Sequence, residues 1–154
     1  MPDQKPASGQ RRQDVTTLVV RKIIQASPER LFAAWIEPEQ LKQWWGPPSV
    51  NCVDAQVDAR VGGRYRIANQ LPDGNGLWIT GEFQAIEPPR KLVYTWSIEP
   101  ASGPVELVTV LFEPNASGGT EVIVTHERIP DKTARDTHMM GWQGCLDGLA
   151  EYLR

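Results

Sequence analysis

Cysteine, histidine and long apolar runs are what this chain of 154 residues has least of, and each shortage removes a class of answer. Cys52 and Cys145 lie far apart and in no Cys-x-x-Cys pair, so neither a disulfide framework nor a thiolate zinc site organises the fold. Both read as small buried hydrophobes. No apolar stretch approaches the roughly 20 residues that a spanning helix needs, so no membrane insertion is expected. Charge of one sign is scarce too: the formal net charge is −3 and no long basic run occurs, so nucleic acid is not an expected partner. His126 and His138 are the only histidines, and Glu127 or Asp136 would have to be brought to them to complete a metal site. No metal and no cofactor are therefore expected. Residues 1–14 are polar, lack the apolar centre of a secretory signal and read as a loose tail before one domain over 15–154, with the cytoplasm as the expected compartment.

The remaining composition is globular, and this length can bury one core without staples. Val15 to Ile24 is rich in β-branched residues and ends at Ser27-Pro28-Glu29, where Ser27 can cap a helix whose first turn holds Pro28. Leu31, Phe32 and Trp35 share one side of that helix. Pro38 breaks it and opens a second short helix with Leu41, Trp44 and Trp45. Gly46-Pro47-Pro48 stops this one. Turn signals at Gly62-Gly63, Pro72 to Gly76, Pro88-Pro89, Pro100 to Pro104 and Asn115 to Gly119 then divide six strand-like runs, roughly 50–57, 63–70, 77–86, 91–98, 105–113 and 120–128. Gly62-Gly63 is followed by no Lys-Ser/Thr, so it reads as a hairpin turn and not a phosphate loop.

From Lys132 to Leu153 the period becomes helical, with Met139, Trp142, Leu146, Leu149 and Leu153 on one face and Asp136, Gln143, Asp147 and Glu151 opposite. Gly141, Gly144 and Gly148 fall along one edge of the apolar face. The order strand, two helices, six strands, long helix is not that of a parallel sheet. It predicts an α+β helix-grip fold: a seven-stranded curved antiparallel sheet with the long C-terminal helix across its concave face.

Several segments also resemble a known family. Arg21 to Trp35, Pro38-Glu39-Gln40-Leu41, Trp44-Trp45-Gly46-Pro47, Asp58 to Tyr65, Leu92 to Trp96 and Gly141 to Leu146 are similar, in order, to the bacterial proteins related to the C-terminal domain of the activator of the heat-shock protein 90 ATPase. The resemblance covers about residues 15 to 153. It implies the helix-grip fold of the START and birch pollen allergen superfamily, whose members commonly hold lipids, sterols or polyketides between sheet and helix. It carries over no agreed catalytic residues, and it raises a chaperone partner as a further reading.

A small apolar or amphipathic molecule held in that cavity is the expected partner. Trp78, Trp96 and Trp142 lie on elements that form it; Glu82, Tyr94, His138 and Arg66 are the polar candidates, and Gly144 and Cys145 the helix positions beside Trp142. Which alternate set of each strand faces inward is not readable from residue type. Gly144 is expected to leave room for the ligand, and Gly141 to be a packing position. An enzyme using His138 or Glu82 with Tyr94 as acid, base or donor is the alternative function. A homodimer through an exposed strand edge or the tryptophan-bearing short helices stays open.

Overall fold

The structure is a computed structural model that describes residues 16–46, 50–99 and 104–154. The expected tail, Pro47-Pro48 and most of the Pro100 to Pro104 turn lie outside those residues. β1 (Leu18–Ile24) runs into α1 (Pro28–Ile36), where the Ser27 hydroxyl accepts from the Arg30 backbone N–H at 3.2 Å and Pro28 opens the helix as the sequence requires. α2 (Pro38–Trp44) follows after one residue. Six strands come next: β2 (Asn51–Val57), β3 (Arg64–Gln70), β4 (Gly76–Glu87), β5 (Lys91–Glu99), β6 (Glu106–Pro114) and β7 (Thr120–Glu127). α3 (Lys132–Tyr152) closes the chain, its N-cap Asp131 accepting from the Ala134 N–H at 2.8 Å.

All seven strands form one antiparallel sheet in the order β1-β7-β6-β5-β4-β3-β2. Register shifts at Cys52/Asp54 in β2 and at Phe83/Ala85 in β4 add local twist where the sheet curls. Curling is tightest at Gly81. A Cβ there would overlap the Thr95 carbonyl and the Tyr65 ring, and the Tyr65 hydroxyl donates to that carbonyl at 2.6 Å. Gly62, at φ 84°, makes the β2–β3 turn in a conformation that side chains disfavour. The Arg60–Asp58 pair beside it is solvent-exposed and worth little.

Pairing settles the phase that residue type left open. On β3 and β4 the odd residues, among them Tyr65, Ile67, Ile79 and Phe83, turn into the curl; on β5, β6 and β7 the even residues do, including Leu92, Tyr94, Trp96, Val108, Val110 and Val124. α1 and α2 close one end with Trp35, Trp44 and Trp45 turned inward. Trp35 meets Trp44 at 4.9 Å in a tilted contact and Phe112 edge-on at 5.7 Å between ring centroids, and an edge contact of the second kind adds about 0.5–1.5 kcal/mol beyond burial. These tryptophans are buried.

α3 packs on β1 and α2. Lys22 of β1 reaches Asp147 at 3.1 Å, and Arg135 donates to the Thr17 carbonyl at 2.9 Å. The three helix glycines have different surroundings. A Cβ on Gly148 would stand 2.8 Å from the Trp44 carbonyl oxygen, whereas one on Gly141 would meet nothing within 4 Å. Gly144 lines a surface groove shared with α2 and β2. The expected roles of Gly141 and Gly144 are thereby corrected: the helix leans its C-terminal half on α2, so the glycine edge runs from open space at 141 to backbone contact at 148.

This contrast predicts opposite effects for one added methyl group. Gly148→Ala should destabilise by roughly 1–2 kcal/mol, overpacking outweighing the helix-propensity gain. Gly141→Ala should stabilise by about 0.5–1 kcal/mol, because only the propensity term remains. Urea unfolding of both variants against the parent measures the two signs.

Candidate functional site

Between sheet and α3 lies a cavity of ≈ 200 Å³, lined by Trp45, Val50, Asn69, Leu71, Leu77, Ile79, Trp96, Thr137, His138, Gly141, Trp142 and Cys145. Its walls come from the inward faces of β3, β4 and β5, from the end of α2 and from the first turns of α3. A second gap of ≈ 20 Å³ sits deeper, among Trp35, Leu41, Tyr65, Phe83, Tyr94 and neighbours, and is the size of a single water. Trp45 and Trp96 line both, so they form the partition.

Most polar atoms around these spaces are already paired. Trp45 Nε1 donates to Asn69 Oδ1 at 3.1 Å, and Asn69 Nδ2 donates to the Ile67 carbonyl at 3.2 Å. Trp35 Nε1 donates to the Tyr94 hydroxyl at 3.2 Å, and Trp44 Nε1 to the Ala34 carbonyl at 2.9 Å. Burial pushes the Tyr94 hydroxyl far above its ordinary range, so it stays protonated. Cys145 Sγ accepts from the Gly46 N–H at 3.4 Å, and burial lifts its thiol to about 12. That thiol is an inert core group. The exception is Trp96, whose buried Nε1–H has no partner among the described residues.

At one end of the cavity a carboxylate and both histidines meet. Glu106 Oε1 lies 2.7 Å from His126 Nε2 and 3.0 Å from His138 Nε2. Trp142 Nε1 stands 3.0 Å from His126 Nδ1. An indole N–H can only donate, so Nδ1 of His126 is the acceptor and its ring proton sits on Nε2, facing Glu106. The imidazoles stack at 4.6 Å and 21°, and Trp96 lies edge-on to both, 4.9 Å from His126 and 4.7 Å from His138. Burial of Glu106 pushes its carboxyl up, but the two histidine hydrogen bonds prevail and bring it down to about 2. For His126 burial wins: with no exposed surface, its imidazole is held below the ordinary range and stays neutral. The Glu106–His126 contact is therefore a charge-assisted hydrogen bond rather than an ion pair.

Glu106, His126 and His138 also place one ligand atom each within 4.8 Å of one another, the spacing of a cation site. One feature opposes that use: His126 accepts at Nδ1 from Trp142, where a metal-bound histidine ordinarily donates from its second nitrogen. The trio is built as a hydrogen-bond relay. As donors and acceptors it can orient His138, which lines the cavity.

The residues expected from sequence divide accordingly. Trp96, His138, Trp142 and Cys145 line the 200 Å³ cavity, whereas Tyr94 borders only the deeper gap. Trp78, Glu82 and Arg66 are corrected: they occupy the even positions of β4 and β3 and point away from the curl. Arg66 lies 4.0 Å over the Trp78 ring, and the half-exposed Glu82 stands 4.0 Å from Arg64. Gly144 lies on the outer groove. Glu106, His126, Asn69 and Gly141 were missed as site residues. Glu106 follows a proline-rich turn and reads as a strand-end charge; only the fold shows that it shares a face with His126.

Comparison with known proteins agrees with this geometry. The family profile described as activator of Hsp90 ATPase homolog 1-like protein (AHSA1) matches residues 25–154. The chain belongs to the AHSA1 family. Among solved structures of similar fold, a protein from Chromobacterium violaceum superposes with TM-score 0.82 at 27% identity, covering 90% of this chain and 96% of that one. The AHSA1 protein from Silicibacter pomeroyi gives 0.78 at 26%, covering 89% and 96%, and a Rhodobacter sphaeroides protein 0.77 at 25%, covering 90% and 92%. A search of curated proteins found no significant match. The resemblance read from the sequence is thus confirmed, as is the helix-grip architecture. Among the described residues no helix is long and apolar enough to cross a membrane.

The relay predicts an acid response with a defined sign. Glu106 is lowered on folding, so its contribution is complete above its ordinary value of 4.5 and is lost as pH falls towards about 2. His126 is lowered as well, so acidification below 6.5 already favours the unfolded chain, which takes up the proton first. Glu106→Gln should cost about 2–3 kcal/mol near pH 7, the worth of hydrogen bonds to a charged acceptor. The gap between variant and parent should narrow as pH drops from 4.5 to 2 in chemical denaturation curves.

Proposed function

We propose that this AHSA1-family protein binds a small apolar or amphipathic molecule in the cavity between sheet and α3. The supporting observation is the cavity itself: ≈ 200 Å³ of space against three indole rings and a run of aliphatic side chains, kept open where Gly141 lacks a side chain. Apolar cavities of about 150 Å³ hold benzene-sized guests in other proteins, so a bicyclic ring fits this volume. Asn69, Thr137 and His138 are the polar side chains among its lining, a small number in an otherwise apolar wall.

A second reading, catalysis on a cavity-bound substrate, is favoured by one observation. Glu106 holds His138 Nε2 at 3.0 Å, the way a carboxylate orients a general base, and His138 lines the cavity. Glu82 plays no part in this, since it faces outward, and Tyr94 contributes only across the Trp45–Trp96 partition.

The binding reading is tested by 1H–15N NMR titration with 2-isopropenylnaphthalene, an uncharged bicyclic probe. Saturable shifts at Gly141, Trp142 and Leu77 are expected. Gly141→Leu, whose Cβ would meet no neighbour within 4 Å and whose longer side chain would occupy cavity space, should raise thermal stability and lower probe affinity at least tenfold. An unchanged affinity in that variant would place the ligand elsewhere.

A further inference from the structure

Among the described residues, the polar side chains bordering the cavity spend their hydrogen bonds inside the protein, with two exceptions whose rings pack against each other in its wall. Trp96 is buried to 94%, given its 6% exposure, and its Nε1–H is the only buried side-chain nitrogen or oxygen without a partner among the described residues. Leaving such a donor unpaired carries the full penalty of taking it out of water. The other five tryptophans differ: four donate to a named acceptor, and Trp78 lies on the outer face under Arg66. His138, whose ring centroid is 4.7 Å from that of Trp96, gives Nε2 to Glu106, and its Nδ1 has no hydrogen-bond partner among the described residues.

The geometry points to a ligand class within the proposed binding function: a neutral, ring-based molecule bearing a carbonyl oxygen that accepts from Trp96 Nε1–H. This rests on the cavity being a binding site and adds what the site selects. A donor without a partner in an otherwise apolar space favours a guest that brings an acceptor, because the same contact both satisfies the indole and desolvates little else. Charge decides between acceptors. Among the described residues no Lys or Arg lines the cavity, while the ionised Glu106 stands behind His138, so a carboxylate guest would enter against a fixed negative charge. A ketone, aldehyde, lactone or amide oxygen meets no such opposition. His138 lies close enough to take a second contact from a hydroxyl next to that carbonyl.

The test compares three probes of one shape: 2-acetylnaphthalene, its hydrocarbon isostere 2-isopropenylnaphthalene, and 2-naphthoate. In the unaltered protein the ketone should bind about tenfold tighter than the hydrocarbon, and the carboxylate more weakly than either. Trp96→Phe reshapes the wall for both probes alike, so the readout is their ratio: the ketone-to-hydrocarbon affinity ratio should fall from about ten to within about twofold of one. Should that variant not fold, the indole N–H resonance of Trp96 in the parent serves instead: it should move downfield with the ketone and not with the hydrocarbon. Equal affinity for ketone and hydrocarbon, or an advantage that survives Trp96→Phe, overturns the carbonyl assignment and leaves the cavity reading intact. Failure of all three probes to bind overturns both.

Discussion

The placement of α3 depends on one partly buried carboxylate. Glu106 of β6 receives His126 from β7 and His138 from α3, while Trp142, one helical turn beyond His138, donates back to His126. The chain of contacts leaves the helix, crosses two strands and returns to the helix, so it fixes both the height and the rotation of α3 over the sheet. Apolar packing alone is tolerant of a slide or a turn; hydrogen bonds between buried groups are not, because a broken one leaves an unsatisfied polar atom behind. The cavity exists because the helix is held at that height at its N-terminal half and leans on α2 at its other end, with Gly148 against the Trp44 carbonyl.

The same constraint explains how five buried tryptophans coexist. Trp35, Trp44, Trp45 and Trp142 each carry an acceptor supplied by a different element: a tyrosine on β5, a helix carbonyl, an asparagine on β3 and a histidine on β7. Their rings form a continuous wall, with Trp45 and Trp142 edge to face at 5.5 Å and Trp35 and Trp142 stacked at 6.1 Å. A wall of this kind is rigid, since each ring is tied by packing and by its N–H. One side of the cavity therefore has its shape before any guest arrives.

The architecture was legible in the sequence because it is written locally. Ser27-Pro28 starts a helix, Pro38 restarts one, turn residues divide the strands, and the period changes from two to helical after Lys132. The site was legible only in part, for physical reasons that differ by residue. Trp78 and Ile79 are both good strand residues, and only the pairing of β3 with β4 shows that Ile79 faces the curl. The bulge after Phe83 shifts the phase again within one strand. Glu106, His126 and His138 form no spaced motif; antiparallel pairing of β6 with β7 and the docking of α3 bring them together. Gly141 and Gly144 differ by the tilt of a helix, which a helical wheel does not contain.

Position 141 has a property of its own. It is a helical site with ordinary backbone geometry, bordering the cavity, at which a Cβ would meet no neighbour within 4 Å. Side chains of increasing size there would subtract from the cavity in small steps while leaving the relay, the tryptophan wall and the α2 contact untouched. In most cores volume and stability change together, because any new methylene presses on something. Here they are separable, so related chains sharing this frame have a single-residue route to cavities of different size without rebuilding the fold.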